Sequence, residues 1–324
     1  MKKRVVFLLV GFILAFSAFG NGASDEVLYK VGYVMLESVG NSYNIMLSMK
    51  DSCEERGWDF IYESANNDHE KTVAIAQNFV AMGCDSIFVY TVDSGAMATV
   101  QSICDNAGVH VAFTGLMEKG YIEICDNEFD QGVAGAEKMI EAASSKWGEG
   151  AEIDLIIVTE ATEVGDGNRI RMHEAFVPRL LEEYPYYSLD DVNWVDCGLD
   201  LLKATSEIAN ILSAHPDAKH ILVPVFYNSS GGQGAMNALK AAGRESQAIL
   251  VSYHISDSVT YDYLLNMSET WIGSYFFPPE SYVDPLFAVM DKWFAGEEVE
   301  NEFIYSQYVW VDAENISDFE FTFK

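Results

Sequence analysis

Residues 83–113 read GCDSIFVYTVDSGAMATVQSICDNAGVHVAF, and this stretch decides the fold class. Two short β-rich runs, Ser86–Tyr90 and His110–Phe113, flank a segment that ends at Asn106-Ala107-Gly108. Glycine just past the last turn is the expected end of a helix, because it adopts the left-handed conformation without strain. A strand, a helix and a second strand of this size predict a βαβ unit with parallel strands.

The same alternation extends outward in both directions. Upstream, β-rich runs at Lys30–Leu36 and Asp59–Glu63 each precede a helical stretch. Downstream, a second series of predicted strands and helices comprises Asp154–Thr159, Met172–Tyr184, Val192–Asp196, Ala204–Ala214, Lys219–Val223, Gly232–Ala242 and Ala248–Tyr253. Repeated βα units predict parallel sheets with helices on both faces. Two such series predict an α/β protein of two doubly wound lobes, with a ligand cleft where the carboxyl ends of their strands face each other.

The N-terminus has the three-part pattern of a secretory signal peptide. Lys2, Lys3 and Arg4 precede the apolar run Val5–Phe19, and Gly20 completes a small-residue cleavage site. An uncleaved membrane anchor is the alternative, but 15 apolar residues fall short of the roughly 18–20 that span a bilayer. We therefore expect residues 1–20 to be removed and the mature protein to be periplasmic.

Composition excludes several classes of partner. The formal net charge is −31 at pH 7, which disfavours binding to nucleic acid or to anionic membranes, because both require basic patches. The five cysteines (Cys53, Cys84, Cys104, Cys125 and Cys197) have no CxxC spacing. Free buried thiols are the default reading. A bridge between Cys84 and Cys104 is the alternative, since an exported protein meets an oxidising compartment.

Signatures of catalysis are missing from the sequence. It contains neither an H-E-x-x-H nor a G-x-S-x-G motif, and its six histidines are dispersed. The glycine-rich stretch Ser230–Gly234 follows a predicted strand but matches no nucleotide-binding loop. We expect a protein that is not an enzyme and that uses no cofactor and no metal.

Seven short motifs, in order along the chain, resemble the type I periplasmic solute-binding proteins, in particular the ribose- and galactose-binding branch. They are residues 40–44 (GNSYN), 63–67 (ESANN), 92–96 (VDSGA), 125–127 (CDN) with Gly132 and Gly135, 200–203 (DLLK), 214–217 (AHPD) and 234–239 (GAMNAL). Together they cover essentially the whole chain after the predicted signal peptide.

The resemblance implies the type I periplasmic binding protein fold, in which three hinge crossovers join the lobes. We expect these crossovers near Cys125-Asp126, Phe276-Phe277 and Ser306-Gln307. The predicted first lobe comprises residues 27–125, about 255–276 and the C-terminal tail. The predicted second lobe comprises residues 126–254 and about 277–306.

The resemblance also implies a set of ligand contacts. Asn41 and Asn228 match asparagines that bind sugar hydroxyls, and Tyr43 matches the first of two stacking aromatics. Arg171 matches a cleft arginine, with Arg169 as the alternate. For the two asparagines, helix capping is the alternative role.

Several positions depart from the pattern of the family. The family's Asp-Arg after the fourth strand falls on Gly115-Leu116, and its later aspartate falls on His254. Asn44 replaces the second aromatic residue. Further candidate ligand contacts stand where the family has other residues: Tyr90 for an asparagine, Phe276 for a glutamine and Glu37 for a serine. Because ionised carboxylates bind hydroxyls strongly, losing two of them predicts a cleft that is less acidic and more aromatic than a hexose site.

These inferences predict the periplasmic solute-binding component of an ABC importer. Hinge closure around a small polyhydroxylated solute (a sugar, a polyol or a nucleoside) would precede docking on an inner-membrane permease. We expect a monomer. A sensory role, in which the closed protein presents its ligand to a chemoreceptor or sensor kinase, is the alternative.

Overall fold

The computed structural model describes residues 28–160, 171–198, 200–226, 229–255, 257–266, 269–319 and 321, with Arg171 and Ser229 described by their backbone alone. The predicted signal peptide lies outside this part of the chain. Within the part described, no helix combines the length and the apolar composition needed to cross a membrane.

The first lobe is built on a six-stranded sheet with parallel strands. In chain order its elements are β1 (Lys30–Met35), α1 (Gly40–Arg56), β2 (Asp59–Ser64), α2 (His69–Ala81), β3 (Ser86–Tyr90), α3 (Ser94–Ala107), β4 (His110–Thr114) and β5 (Glu123–Cys125). The strand order is β2-β1-β3-β4-β5, and a late strand, β11 (Phe303–Tyr305), completes the sheet beside β5.

The second lobe repeats this plan. Its elements are α4 (Glu128–Trp147), β6 (Leu155–Glu160), α5 (Arg171–Glu183), β7 (Asn193–Asp196), α6 (Leu201–Ala214), β8 (Ile221–Val225), α7 (Ser229–Ala242), β9 (Ala248–Tyr253), α8 (Ser258–Asn266) and β10 (Trp271–Phe276). The strands lie in the order β7-β6-β8-β9-β10, and β12 (Val309–Val311) adds an antiparallel edge beside β10. Two doubly wound lobes are thus confirmed, and each predicted strand quoted above lies within two residues of an observed one.

The chain passes between the two sheets three times. It leaves the first sheet after β5, returns after β10 into α9 (Glu280–Phe294) and β11, and leaves again for β12. The helix α9 packs on α1 and β5 of the first lobe. These passages coincide with the three predicted crossovers.

The predicted lobe membership of the later segments is wrong. Residues 255–276 contain α8 and β10, and β10 pairs with β9 of the second sheet. Residues 277–306 instead contain α9 and β11, which belong to the first lobe. The C-terminal tail continues from β12 in the second lobe. Strand pairing therefore places residues 255–276 in the second lobe and residues 277–306 in the first, which is the reverse of the prediction.

The helix ends follow the predicted chemistry. Gly57 and Gly108 close α1 and α3 in the left-handed conformation, with φ of 70° and 68°. At the opposite ends, Asp93 caps α3 and Asp200 caps α6 by accepting backbone N–H bonds. Helices thus begin at the carboxyl edges of both sheets, where the strand-to-helix loops gather.

All five cysteines are buried. Cys84 and Cys104 lie in the same apolar cluster of the first lobe. Burial raises the pKa of each thiol to about 12, which keeps both protonated and poorly reactive at neutral pH. Cys84 and Cys104 are therefore buried thiols, and the structure has no disulfide bond between them.

Candidate functional site

Each sheet has one place where the connections change direction. In the first sheet it lies between β1 and β3, and in the second between β6 and β8. Helices that follow neighbouring strands there lie on opposite faces of the sheet, which leaves a crevice beyond the carboxyl ends. We take these two crevices as the candidate cleft.

Four predicted ligand contacts follow β1 and β3. Glu37 lies two residues after β1, Asn41 and Tyr43 lie in the first turn of α1, and Tyr90 ends β3. All four side chains are partly buried. The cap of α1 is Val39, which makes no side-chain capping bond. Asn41 therefore lies inside the helix, and capping, its alternative role, is not what the structure shows.

The Gly115-Leu116 departure has a steric cause. Gly115 has φ of 120°, and a Cβ at this position would collide with the carbonyl oxygen of Thr91. The next side chain, Leu116, is 2% exposed and belongs to the apolar cluster of the first lobe. The loop after β4 thus follows a path that only glycine accommodates, and it directs residue 116 into the core.

A buried carboxylate holds this loop in place. Glu123 of β5 is fully buried, and its Oε1 accepts the N–H groups of Leu116 at 2.7 Å and Met117 at 2.6 Å. Its Oε2 accepts the N–H of Glu118 at 2.8 Å. Burial raises the pKa of Glu123, and the three amide donors oppose that rise. Sequence inspection gave no sign of this residue, because an isolated glutamate in a strand has no local signature.

The second lobe brings together a polar group that the motifs did not indicate. Glu160 ends β6 and lies opposite Asp196, which ends β7. Glu160 Oε2 is 3.5 Å from Nδ1 of His173 in the first turn of α5. The imidazole of His173 meets Trp194 edge-on, with ring centroids 5.2 Å apart.

Burial shifts the pKa values of Glu160 and His173 in the directions that favour their neutral forms. Burial raises the pKa of Glu160, and the nearby Asp196 adds to the rise. Burial also lowers the pKa of His173, with Glu174 acting in the opposite direction. Both shifts disfavour the charged forms, so they weaken any ion pairing between Glu160 and His173.

His254 lies where β9 reaches the hinge. Its backbone has φ of 75°, and its ring centroid is 4.9 Å from that of Phe277. Phe276, the predicted cleft residue, instead packs with Phe319 and Phe321 in the second-lobe core, at 5.5 and 4.7 Å between centroids. The aromatic neighbour of His254 is therefore Phe277, one residue further along the chain.

Three predicted contacts cannot be placed by their side chains. Asn228 and Arg169 lie outside the described residues, and Arg171 is described only as the first residue of α5. The backbone puts that residue at the carboxyl edge of the second sheet, after β6. Their roles stay predictions.

Buried amide groups near this region have unused hydrogen-bonding capacity. Gln131, in the first turn of α4, is 0% exposed, and neither polar atom of its side chain has a partner among the described residues. Asn44 Oδ1, in the first turn of α1, is likewise buried without a partner there. Buried polar groups are normally hydrogen-bonded, so these amides are candidates for ligand or solvent contact.

A separate cavity of about 490 Å³ lies at the other end of the first sheet. Tyr29, Asp85, His110 and Trp293 contribute to its wall. Because these residues lie at the amino ends of β1, β3 and β4 or at the end of α9, the cavity is remote from the carboxyl-edge crevices. Within the described part of the chain, no group of three or more His, Cys, Asp or Glu side chains could hold a metal ion.

The fold defines the class of two-lobed α/β binding proteins. A family model described as "Periplasmic binding protein domain" matches residues 32–297. The chain therefore belongs to the periplasmic binding protein family.

Similar proteins fit this assignment. The chain is 22% identical over 216 residues to the ribose import binding protein of Bacillus subtilis, covering 65% of each chain. It is 25% identical over 205 residues to a putative rhizopine-binding protein of Rhizobium meliloti, covering 60% of this chain and 62% of the relative. The matches thus span less than two thirds of both relatives.

Solved structures show the same fold. A periplasmic solute-binding protein of an ABC transporter from Actinobacillus succinogenes 130z, solved with D-allose, superposes with a TM-score of 0.68. The identity is 17%, over 90% of this chain and 100% of that one. At this identity the likeness establishes the fold alone.

Proposed function

We propose that the chain is the periplasmic solute-binding component of an ABC importer. It binds one small polyhydroxylated solute (a sugar, a polyol or a nucleoside) between its lobes and is not an enzyme. The names of the relatives, a ribose import protein and an ABC transporter component bound to allose, favour uptake over the sensory alternative. Export through a cleaved signal peptide, action as a monomer and docking on an inner-membrane permease complete the proposal.

One observation carries the proposal: polar and aromatic side chains gather at the carboxyl edges of both sheets. Tyr43 and Tyr90 supply aromatic surface in the first lobe, whereas Glu160, Asp196 and His173 supply acceptors in the second. A sugar ring combines apolar C–H faces with hydroxyl edges, so it matches such a mixture. A ligand that bonds to both lobes stabilises the closed state over the open state.

The structure also suggests how this cleft replaces lost contacts. Asn44 stands where the family has a second stacking ring, and its buried Oδ1 offers a hydrogen-bond acceptor there instead. Glu160 and Asp196 offer carboxylates in the second lobe, whereas the family pattern has carboxylates at the positions of Gly115 and His254. We propose that recognition relies on one stacking ring and on acceptors at these new positions.

Ligand binding should raise the thermal stability of the mature protein. A ligand at about a hundred times its dissociation constant adds about 2.7 kcal/mol to the free energy of unfolding, because it binds only the folded state. The measurement is differential scanning fluorimetry across a panel of sugars, polyols and nucleosides. Mass spectrometry of small molecules released on denaturation would identify a copurified ligand.

Paired tyrosine variants make this test specific to the cleft. Tyr43→Ala should reduce the ligand-induced shift, since it removes the candidate stacking ring. Tyr62→Ala removes a tyrosine that is 50% exposed on the edge strand β2, and it should leave the shift intact. If no solute in the panel shifts the melting temperature and none is released from the protein, the proposed ligand class is wrong.

His254→Asp should move ligand preference toward aldoses. Aspartate tolerates the positive φ of this position, so the backbone can stay as it is. An added hydrogen bond to a carboxylate contributes about 1.5–3 kcal/mol, roughly a tenfold gain in affinity or more. Calorimetric titration with D-ribose and D-galactose measures the gain. His254→Asn, which has similar size but no charge, is the control, and equal affinities in both variants would contradict a role for the carboxylate.

A further inference from the structure

The three crossovers meet at a single side chain. Asp126 follows β5 on the first crossover, Tyr282 lies in the first turn of α9 just after the second, and Ser306 opens the third. Asp126 Oδ1 accepts hydrogen bonds from Tyr282 Oη at 2.6 Å and from Ser306 Oγ at 2.8 Å. Both donors are far from Asp126 in the sequence, so these bonds are purely tertiary.

The surroundings strengthen these bonds. Tyr282 is 4% exposed and Ser306 is 3% exposed, so neither hydroxyl can exchange its partner for water easily. Bonds to an ionised carboxylate are roughly twice as strong as bonds between neutral groups. The backbone adds one more tie between the first and third crossovers, from Ser306 N to Cys125 O at 2.8 Å.

Tyr282 is influenced by groups of both the hinge and the candidate cleft. Burial raises the pKa of Tyr282 well above its usual range, and the nearby Asp126 and Tyr90 add to the rise. Tyr90 ends β3 at the candidate cleft.

We propose that Asp126 is the positioning residue of the hinge, with one carboxylate oxygen holding the second and third crossovers against the first. It fixes the axis about which the lobes rotate and touches no ligand itself. Without this acceptor, the second connecting segment would lose its tie to the first, only the backbone bond would still join the first and third, and the lobes would sample a wider range of relative orientations. The inference goes beyond the proposed function, because it concerns the ligand-free protein.

The distance between the lobes in the ligand-free mature chain tests this inference. Spin labels on non-canonical amino acids at Tyr62 and Leu202, which are 50% and 75% exposed on different lobes, avoid the native cysteines. Pulsed electron resonance then gives the distribution of distances between the labels. Asp126→Ala should broaden it, or shift its mean, by about 2 Å or more, the scale of recognised interdomain rearrangements.

Matched variants separate hinge positioning from simple stability. Asp126→Asn keeps the Oδ1 acceptor and should restore a distribution close to that of the unmodified protein. Asp130→Ala removes an exposed carboxylate one turn further on, which accepts a hydrogen bond from Asn127 Nδ2, and it should change nothing. Ser306→Ala removes one of the two bonds and should give an intermediate width.

An Asp126→Ala distribution with the same width and the same mean as that of the unmodified protein would overturn the inference, even if the melting temperature fell. Should Asp126→Ala fail to fold, Ser306→Ala and Tyr282→Phe decide the question. Unchanged distributions in both would overturn the inference, and broadening in both would support it. Since no ligand is present, these outcomes are independent of whether the proposed solute class is right.

Discussion

Replacing Glu123 by alanine should lower the free energy of unfolding by about 3–5 kcal/mol. The change leaves the N–H groups of Leu116, Met117 and Glu118 without their acceptor. Each buried donor that loses its partner costs about 1–3 kcal/mol. Because the amide of Leu116 is the most deeply buried of the three, we expect the full penalty there and part of it at the other two. Denaturant unfolding of the ligand-free protein, followed by circular dichroism, measures the loss.

Two companion variants identify the cause of that loss. Glu123→Gln keeps one oxygen acceptor but replaces the other with a donor, so its stability should fall between those of alanine and the native residue. Glu302→Ala removes an exposed carboxylate whose residue contacts Glu123 only through its backbone oxygen, and it should change stability by about 0.5 kcal/mol or less. If Glu123→Ala unfolds at the same denaturant concentration as Glu302→Ala, the carboxylate does not hold the loop.

Periodicity was enough to predict the two lobes because the signal is local. Buried strands such as Ser86–Tyr90 are short apolar runs, and glycine after helices such as α1 and α3 marks where the chain turns back. The crossovers were also placed well, through the resemblance of residues 125–127. Lobe membership after residue 254 was predicted wrongly, since it depends on which sheet accepts β10, β11 and β12. The last two strands have three residues each and contain too little pattern to decide.

The residues of the candidate site also differ in how far the sequence indicates them. The positions of Glu37, Asn41, Tyr43 and Tyr90 at strand ends and at a helix start were predictable, because both features can be recognised in the sequence, and their contact with a ligand stays a prediction. Glu160 and His173 were not, because the contact between them joins the end of β6 to the first turn of α5, thirteen residues later. A glutamate at a strand end looks the same in sequence whether solvent or a cleft lies beyond it.

Phe276 and Phe277 show that adjacent residues can pack against different clusters. Phe276 is the last residue of β10 and packs against the second-lobe cluster, whereas Phe277 follows the strand and belongs to the other large cluster. An alignment by motif places residues along the chain but does not fix which face they occupy when the identity is low. The contact between the rings of His254 and Phe277 is therefore known from the structure and not from the motifs.

Gly115→Asp, which restores the carboxylate of the family pattern, should destabilise the protein rather than improve sugar binding. A φ of 120° is strained for any residue with a Cβ, at about 1–3 kcal/mol. The collision of that Cβ with the Thr91 carbonyl oxygen forces a backbone shift, which costs about 1–3 kcal/mol more. Denaturant unfolding should show both penalties together, and titration with D-ribose should show no gain in affinity.

Gly120 provides the control that separates the two penalties. It lies in the same loop with φ of 99°, but a Cβ built there has open space around it. Gly120→Ala should therefore show the conformational strain alone, and Gly115→Ala should lose more stability by the cost of the collision. Equal losses in the two alanine variants would mean that the loop moves freely away from Thr91. In that case the absence of the family's carboxylate would have no steric cause, and a stable Gly115→Asp variant should then bind aldoses more tightly.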